Sequence, residues 1–189
     1  MGGTELKRFL RCAARWCADA RAAREAIAAH SLAHSGLMTA GAYLANLERL
    51  AADPALGYRR LDCSGYAKKA RGGLGYHGAT TNFARHCACA GRIADLGGDS
   101  GLIPGMELYQ GEAAPGQPGR YYMRHMGVYA GLRDLGDGVP RPAVYQSSPA
   151  YTRLARKYGK KNGPDLTAMT GAWNWWGWSK YVRTEEMTP

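Results

Sequence analysis

Two groups in this sequence could do chemistry together. One is Cys63, in Asp62-Cys63-Ser64-Gly65, where a loop runs into a helix. The other is His125, which opens the short β-type run His125-Met126-Gly127-Val128-Tyr129-Ala130-Gly131. A thiol at a helix N-terminus is placed for nucleophilic attack. The helix dipole and the unpaired first-turn amides favour the thiolate, and the same amides can face the oxyanion that forms on an attacked carbonyl. A histidine near in space but far in sequence supplies the base that such a thiol needs. Asp62 can bond to the helix-start amides or hold a substrate amine, and Gly65 keeps the first turn slim where a substrate backbone would approach. Without a partner, Cys63 would read as a small buried hydrophobe and Asp62 as a helix cap.

The histidine in turn needs a polar partner to fix its tautomer. Alternation along the strand puts His125, Gly127 and Tyr129 on one face and Met126, Val128 and Ala130 on the other, with one face toward a cleft and one toward the core. Gly127 leaves space beside the imidazole. On the following strand Val144 and Gln146 share a face, which makes Gln146 the candidate orienter through its side-chain oxygen, with Ser147 as the fallback. Other clusters carry less. His30 and His34 share no acidic partner, and Cys87-Ala88-Cys89 is too close for ordinary zinc pairing and has no matching second half. No metal and no cofactor are expected.

The elements that must position these residues follow from periodicity. Residues 5–30 predict one amphipathic helix, with Leu6, Phe9, Leu10, Ala13, Trp16, Cys17 and Ala20 at helical spacing and Thr4 as its N-cap. A second helix is predicted from Thr39 to Ala52, stopped by Asp53-Pro54, and a third follows the thiol from Ser64 to Ala70. A short helix is expected over Asn82–Cys89, capped by Thr80 or Thr81. The pattern then alternates. Met106–Gln110, Tyr121–Gly131, Pro142–Ser147 and a final Lys180–Arg183 read as strands, joined by Gly/Pro-rich loops. The tail carries Trp173, Trp175, Trp176 and Trp178, an aromatic plug for the sheet or a stacking surface. Helices first and a small antiparallel sheet second is an α+β plan.

The bulk numbers agree with a globular chain. Its 189 residues suit one compact domain, with 1–55 as an N-terminal helical region and 56–189 as the core, and the hydrophobic fraction is 46% against 21% charged. The apolar runs are too short for a membrane span, and the Arg-studded start is unlike a Sec signal. A formal net charge of +10 and a pI near 9.6 predict attraction to polyanions, with the basic residues spread rather than gathered in one tract. Five cysteines, an odd number, argue against a purely structural disulfide framework and for a reducing compartment with one working thiol.

In this order the residues resemble the NlpC/P60 family of cysteine peptidases, within the papain-like superfamily. The resemblance rests on Leu61-Asp62-Cys63-Ser64-Gly65-Tyr66, on Ile103-Pro104-Gly105-Met106-Glu107-Leu108-Tyr109, on His125 through Gly131, and on Val144-Tyr145-Gln146. The tail from Trp175 to Val182 also looks like that of phage-borne and gut-bacterial members. The resemblance implies a papain-like fold and a peptidase that cuts peptide stems of bacterial peptidoglycan. Cys63 would be the nucleophile, His125 the base and Gln146 the third member, where the family more often has His. It also implies substrate contacts from Asp62 and Ser64. Tyr58 stands in for the tyrosine that family members carry in a Tyr-x-x-Gly-Gly-like segment before the cysteine, which this chain lacks. A cytoplasmic or phage-virion location with non-Sec delivery to the wall would follow.

Two other classes compete. A same-fold amidase, acyltransferase or thioesterase would use the same thiol, since acyl-enzyme chemistry is common to them all. A silent, basic structural or nucleic-acid-binding module would use the tryptophans and the Arg153–Lys161 segment instead. Intact thiol, base and orienter positions rank the peptidase first, and nucleic acid is not the expected partner.

Overall fold

The computed structural model describes residues 7–58, 61–148 and 162–185. Its architecture is α+β, with four α-helices and a mainly antiparallel sheet. In chain order the described elements begin with β1 (Leu10–Arg11), β2 (Arg15–Trp16), α1 (Ala20–Ala33), β3 (Met38–Thr39), α2 (Ala40–Ala52) and α3 (Cys63–Ala70). They continue with α4 (Ala79–Arg85), β4 (Cys87–Arg92), β5 (Glu107–Ala113), β6 (Arg120–Asp134), β7 (Pro140–Ser148), β8 (Gly163–Ala168), β9 (Trp175–Ser179) and β10 (Val182–Arg183). The large sheet runs β2-β4-β9-β5-β6-β7-β8, with β1 also on β6, while β3 and β10 form a separate parallel pair.

The helix predicted over 5–30 is not what forms. Leu10 pairs with Tyr121, Trp16 stacks on the Tyr121 ring at 5.6 Å, and the Cys17 amide donates to Ala90. Residues that a helical stripe would group are instead spent one by one on sheet edges, so long-range pairing overrides local propensity. Helix α1 starts at Ala20, where the Asp19 carboxylate accepts the Ala22 amide at 2.7 Å, and it runs on through His30. Thr4 lies outside the described residues. The N-terminal region is therefore part sheet, with β1 and β2 in the large sheet and β3 in the separate pair with β10.

The second correction concerns 82–89. Helix α4 begins after Gly78, without a side-chain cap, and Thr80 instead bonds both the carbonyl and the amide of Met123. Cys87 to Arg92 is a strand. Its small residues let the tryptophans of β9 lie across it: a Cβ at Gly91 would stand 2.9 Å from the Trp176 indole nitrogen. Strands β5, β6 and β7 are longer than predicted, the final strand is only Val182–Arg183, and β8 and β9 had no counterpart in the sequence reading. Helices α2 and α3 fall where expected, with Thr39 and Asp62 as their caps.

One buried cluster joins Tyr43 and Leu47 of α2, Tyr66 of α3, Leu108, Val128, Val144, Trp176 and Trp178. A second joins Phe83 of α4 with Tyr109, Tyr121, Met126 and Trp175, and Cys63 packs against it. The tryptophan tail is thus a plug for the sheet from Trp175 onward. Between helix and sheet lies a buried ion pair: Arg71, the C-cap of α3, reaches Glu107 of β5, which also accepts from the Tyr43 and Tyr109 hydroxyls at 3.3 and 2.6 Å. The helix that begins with Cys63 is thereby anchored at its other end to the strand beside the one that carries His125. All five cysteines are free thiols; Cys17 and Cys89 are hydrogen-bonded to each other where β2 meets β4. Among the described residues no helix is long and apolar enough to cross a membrane.

Candidate active site

Cys63 is the first residue of α3, and its surroundings fix it from three sides. Asp62 Oδ1 accepts the Gly65 amide at 2.6 Å and the Ser64 hydroxyl at 3.0 Å. The Ser64 oxygen in turn accepts the Gly78 amide at 2.8 Å, which ties the loop between α3 and α4 down onto the helix start. Ser147 of β7 donates to the carbonyl of Leu61, just ahead of the cap. The half-buried sulfur takes the Met126 amide of β6 as a polar neighbour, which sets it beside the His125–Met126 peptide. Burial pushes the thiol up to about 11, the Asp62 carboxylate adds to that, and the Met126 and Ser64 amides offset only part of it. Burial thus favours the protonated thiol of Cys63 over the thiolate that a helix start alone suggests, because desolvation outweighs the amides.

The candidate base, His125, is held by register. Gly127 of β6 pairs with Gln146 of β7, and Tyr129 with Val144, so the shared face predicted for His125, Gly127, Gln146 and Val144 is present. His125 Nε2 lies 2.7 Å from Gln146 Oε1. The Gln146 amide nitrogen donates to Thr167 Oγ1 at 2.6 Å, and the Thr167 hydroxyl reaches the Val144 carbonyl at 3.4 Å. Because Thr167 fixes which end of the Gln146 amide faces away, the oxygen faces His125, and Nε2 carries the ring proton. Nδ1 is left with its lone pair. Burial lowers the basicity of His125 and the nearby charge of Arg124 lowers it further, against the raising effect of the Gln146 bond.

The expectation of an open space beside the imidazole is corrected. Trp173 lies against the His125 ring at 5.4 Å between centroids, and its indole fills the place over Gly127. A Cβ there would come within 2.5 Å of Val144 Cγ1 and 3.0 Å of Trp173 Cη2, so only glycine lets the indole reach the histidine. From Met126 to Gly131 every residue is buried, so neither face of that stretch is an open cleft wall. Ser147 is no orienter. Its hydroxyl holds the loop that leads into Cys63.

Of the expected substrate contacts, Asp62 is partly exposed and Tyr58 is brought near. The Tyr58 hydroxyl is shifted up by burial and by its proximity to Cys63 and Asp62. Ser64 is 1% exposed with its hydroxyl used on both sides, which makes it a brace for the site rather than a surface for a ligand. Sequence reasoning missed three neighbours. Thr167 sits on the unpredicted strand β8, Trp173 was read as part of an aromatic plug or stacking surface, and exposed His77 lies with Nδ1 3.7 Å from Asp62 Oδ1. The only available signal was the strand-like alternation around Thr167. The Arg153–Lys161 segment and Arg59-Arg60 lie outside the described residues.

One cavity of about 330 Å³ is lined by Lys7, Gly111, Glu112, Tyr122 and Arg124. Arg124 is the neighbour of His125 on β6. No protein-family model, curated protein or solved structure matches this chain.

Proposed function

We propose that this chain is a cysteine-type hydrolase of papain-like, NlpC/P60 character that cuts peptide stems of bacterial peptidoglycan. The observation that carries the reading is the proton chain from Val144 through Thr167 and Gln146 to His125, which leaves the imidazole Nδ1 as a base on the strand whose next amide meets the Cys63 thiol. With both groups neutral at rest, attack proceeds by general-base transfer: Nδ1 takes the thiol proton as sulfur adds to the scissile carbonyl. The first-turn amides of α3 face the oxyanion. Collapse of the tetrahedral adduct passes the proton from His125 to the leaving amine and leaves a thioester on Cys63. Water, deprotonated by His125, then releases the acid and restores the thiol.

The substrate class rests on the motif resemblance together with the cationic surface, which would hold the protein on an anionic wall. The test is incubation with purified peptidoglycan and with soluble stem peptides, with products read by mass spectrometry. Wild type releases cut stems, and Cys63→Ala and His125→Ala lose turnover by about three orders of magnitude while melting near the wild-type temperature. Cleavage by Cys63→Ala at the wild-type rate would overturn the reading.

A further inference from the structure

The cavity lined by Arg124, the residue before His125 on β6, has a charge imbalance. Of its three charged lining residues, Lys7 and Glu112 form an ion pair with each other. Arg124 is exposed and makes no ion pair among the described residues. Tyr122 and the backbone of Gly111 complete a polar wall, so the cavity presents one uncompensated guanidinium, a group suited to bidentate binding of a carboxylate. Its position relative to the base adds direction. His125 hands its proton to the leaving nitrogen, so the substrate residue that bears that nitrogen must lie against β6 at His125. Arg124 is the adjoining residue of that strand, near enough for its charge to act on the imidazole. In an α-linked leaving residue the α-carboxylate is two bonds from the leaving nitrogen.

We infer that the Arg124 cavity binds the free α-carboxylate of the leaving residue, and so makes the enzyme select stems that end at that residue over stems that continue beyond it. This rests on the hydrolase reading above. It adds a specificity-determining residue, Arg124, that takes no part in the bond-breaking steps. A stem extended by a further amide would bring a neutral group to the guanidinium and lose the charge-assisted pair.

The experiment uses one peptide in two forms, L-alanyl-γ-D-glutamyl-L-lysine with its lysine carboxylate free or amidated. Wild type should cleave the acid with a kcat/KM about tenfold above that of the amide, the difference lying in KM. Arg124→Gln should bring the acid-to-amide ratio of kcat/KM to about one, a ratio from which any change in His125 basicity cancels, and Arg124→Lys should restore part of it. An equal preference in wild type and Arg124→Gln overturns the inference and leaves the hydrolase reading standing. Calorimetric titration of both forms into Cys63→Ala covers the case in which neither is cut. Arg124-dependent binding of the acid would then uphold the cavity while the hydrolase reading fails, and absence of any acid preference would overturn the cavity as well.

Discussion

At Cys63 two effects of opposite sign compete, and their balance sets the chemistry. The helix-start amides and Met126 favour an anion, whereas burial and Asp62 disfavour it, and the thiol ends at about 11. Alkylation by iodoacetamide should therefore keep rising toward that pH rather than level off near 8.5, the ordinary cysteine value. His125→Ala should leave the alkylation curve little changed while removing turnover. A reactive thiolate at pH 6 would show that an ion pair forms instead. His125 is shifted down from its ordinary value by burial, so the acid limb of kcat/KM should fall below 6.5 rather than at or above it. Thr167 is the residue that makes this base orderly. Thr167→Val removes an acceptor of the Gln146 amide, weakens the hold on its orientation, and should lower kcat about tenfold with KM nearly constant, the worth of about one hydrogen bond. Steady-state kinetics on a stem peptide measures it, and an unchanged kcat would show that Gln146 holds its orientation without Thr167.

Among the elements, β6 carries most of the design, since it supplies His125, the amide that meets the sulfur, and the glycine over which Trp173 lies. Gly127→Ala would drive a methyl into Val144 and Trp173. The expected cost is about 1–3 kcal/mol of stability from overpacking, with a loss of activity beyond that as the indole is pushed off the imidazole. Denaturant melts and kcat measured on the same preparation would separate the two, and a variant as stable and as active as wild type would remove Trp173 from the site. The sequence made part of this legible. Cys63, His125 and Gln146 lie in short runs whose faces follow from local alternation, and Asp62 and Thr39 are caps that act within a turn of themselves. What was not legible depends on distant partners. Leu10, Trp16 and Cys17 have helical spacing, yet Tyr121 and Ala90 claim them for sheet edges. Thr167 reaches Gln146 only because β8 pairs with β7. The thiol's protonation depends on how deeply the second cluster buries it, which no local pattern encodes.

For the molecule as a whole, the loop over the site is tied to the tail by one buried histidine. His86 Nε2 accepts the Tyr76 amide at 3.3 Å and Nδ1 lies 3.2 Å from the Tyr181 hydroxyl, while the His86 carbonyl accepts the Lys180 amide at 2.8 Å. An imidazole that accepts at Nε2 and donates at Nδ1 must be neutral, and its burial, with Lys180, Arg71 and Arg85 nearby, lowers it to about 4. Unfolded, it would titrate near 6.5. Between those values the unfolded chain binds the proton and the folded one does not, so acid stabilises the unfolded state there. His125 is shifted in the same direction and adds to the effect. Stability should therefore be full above about pH 6.5 and fall as pH drops toward 4. His86→Gln, which keeps an acceptor but cannot be protonated, should flatten that decline while costing some stability at pH 7. Urea melts from pH 4 to 8 measure both curves, and parallel curves would place the acid sensitivity elsewhere. The Asp62–Ser64–Gly78 contacts at the Cys63 helix start belong to the same loop. The site should accordingly lose order at the acid edge along with the Tyr76–His86–Tyr181 tether, and irreversible loss of activity should track the melt rather than the acid limb of kcat/KM.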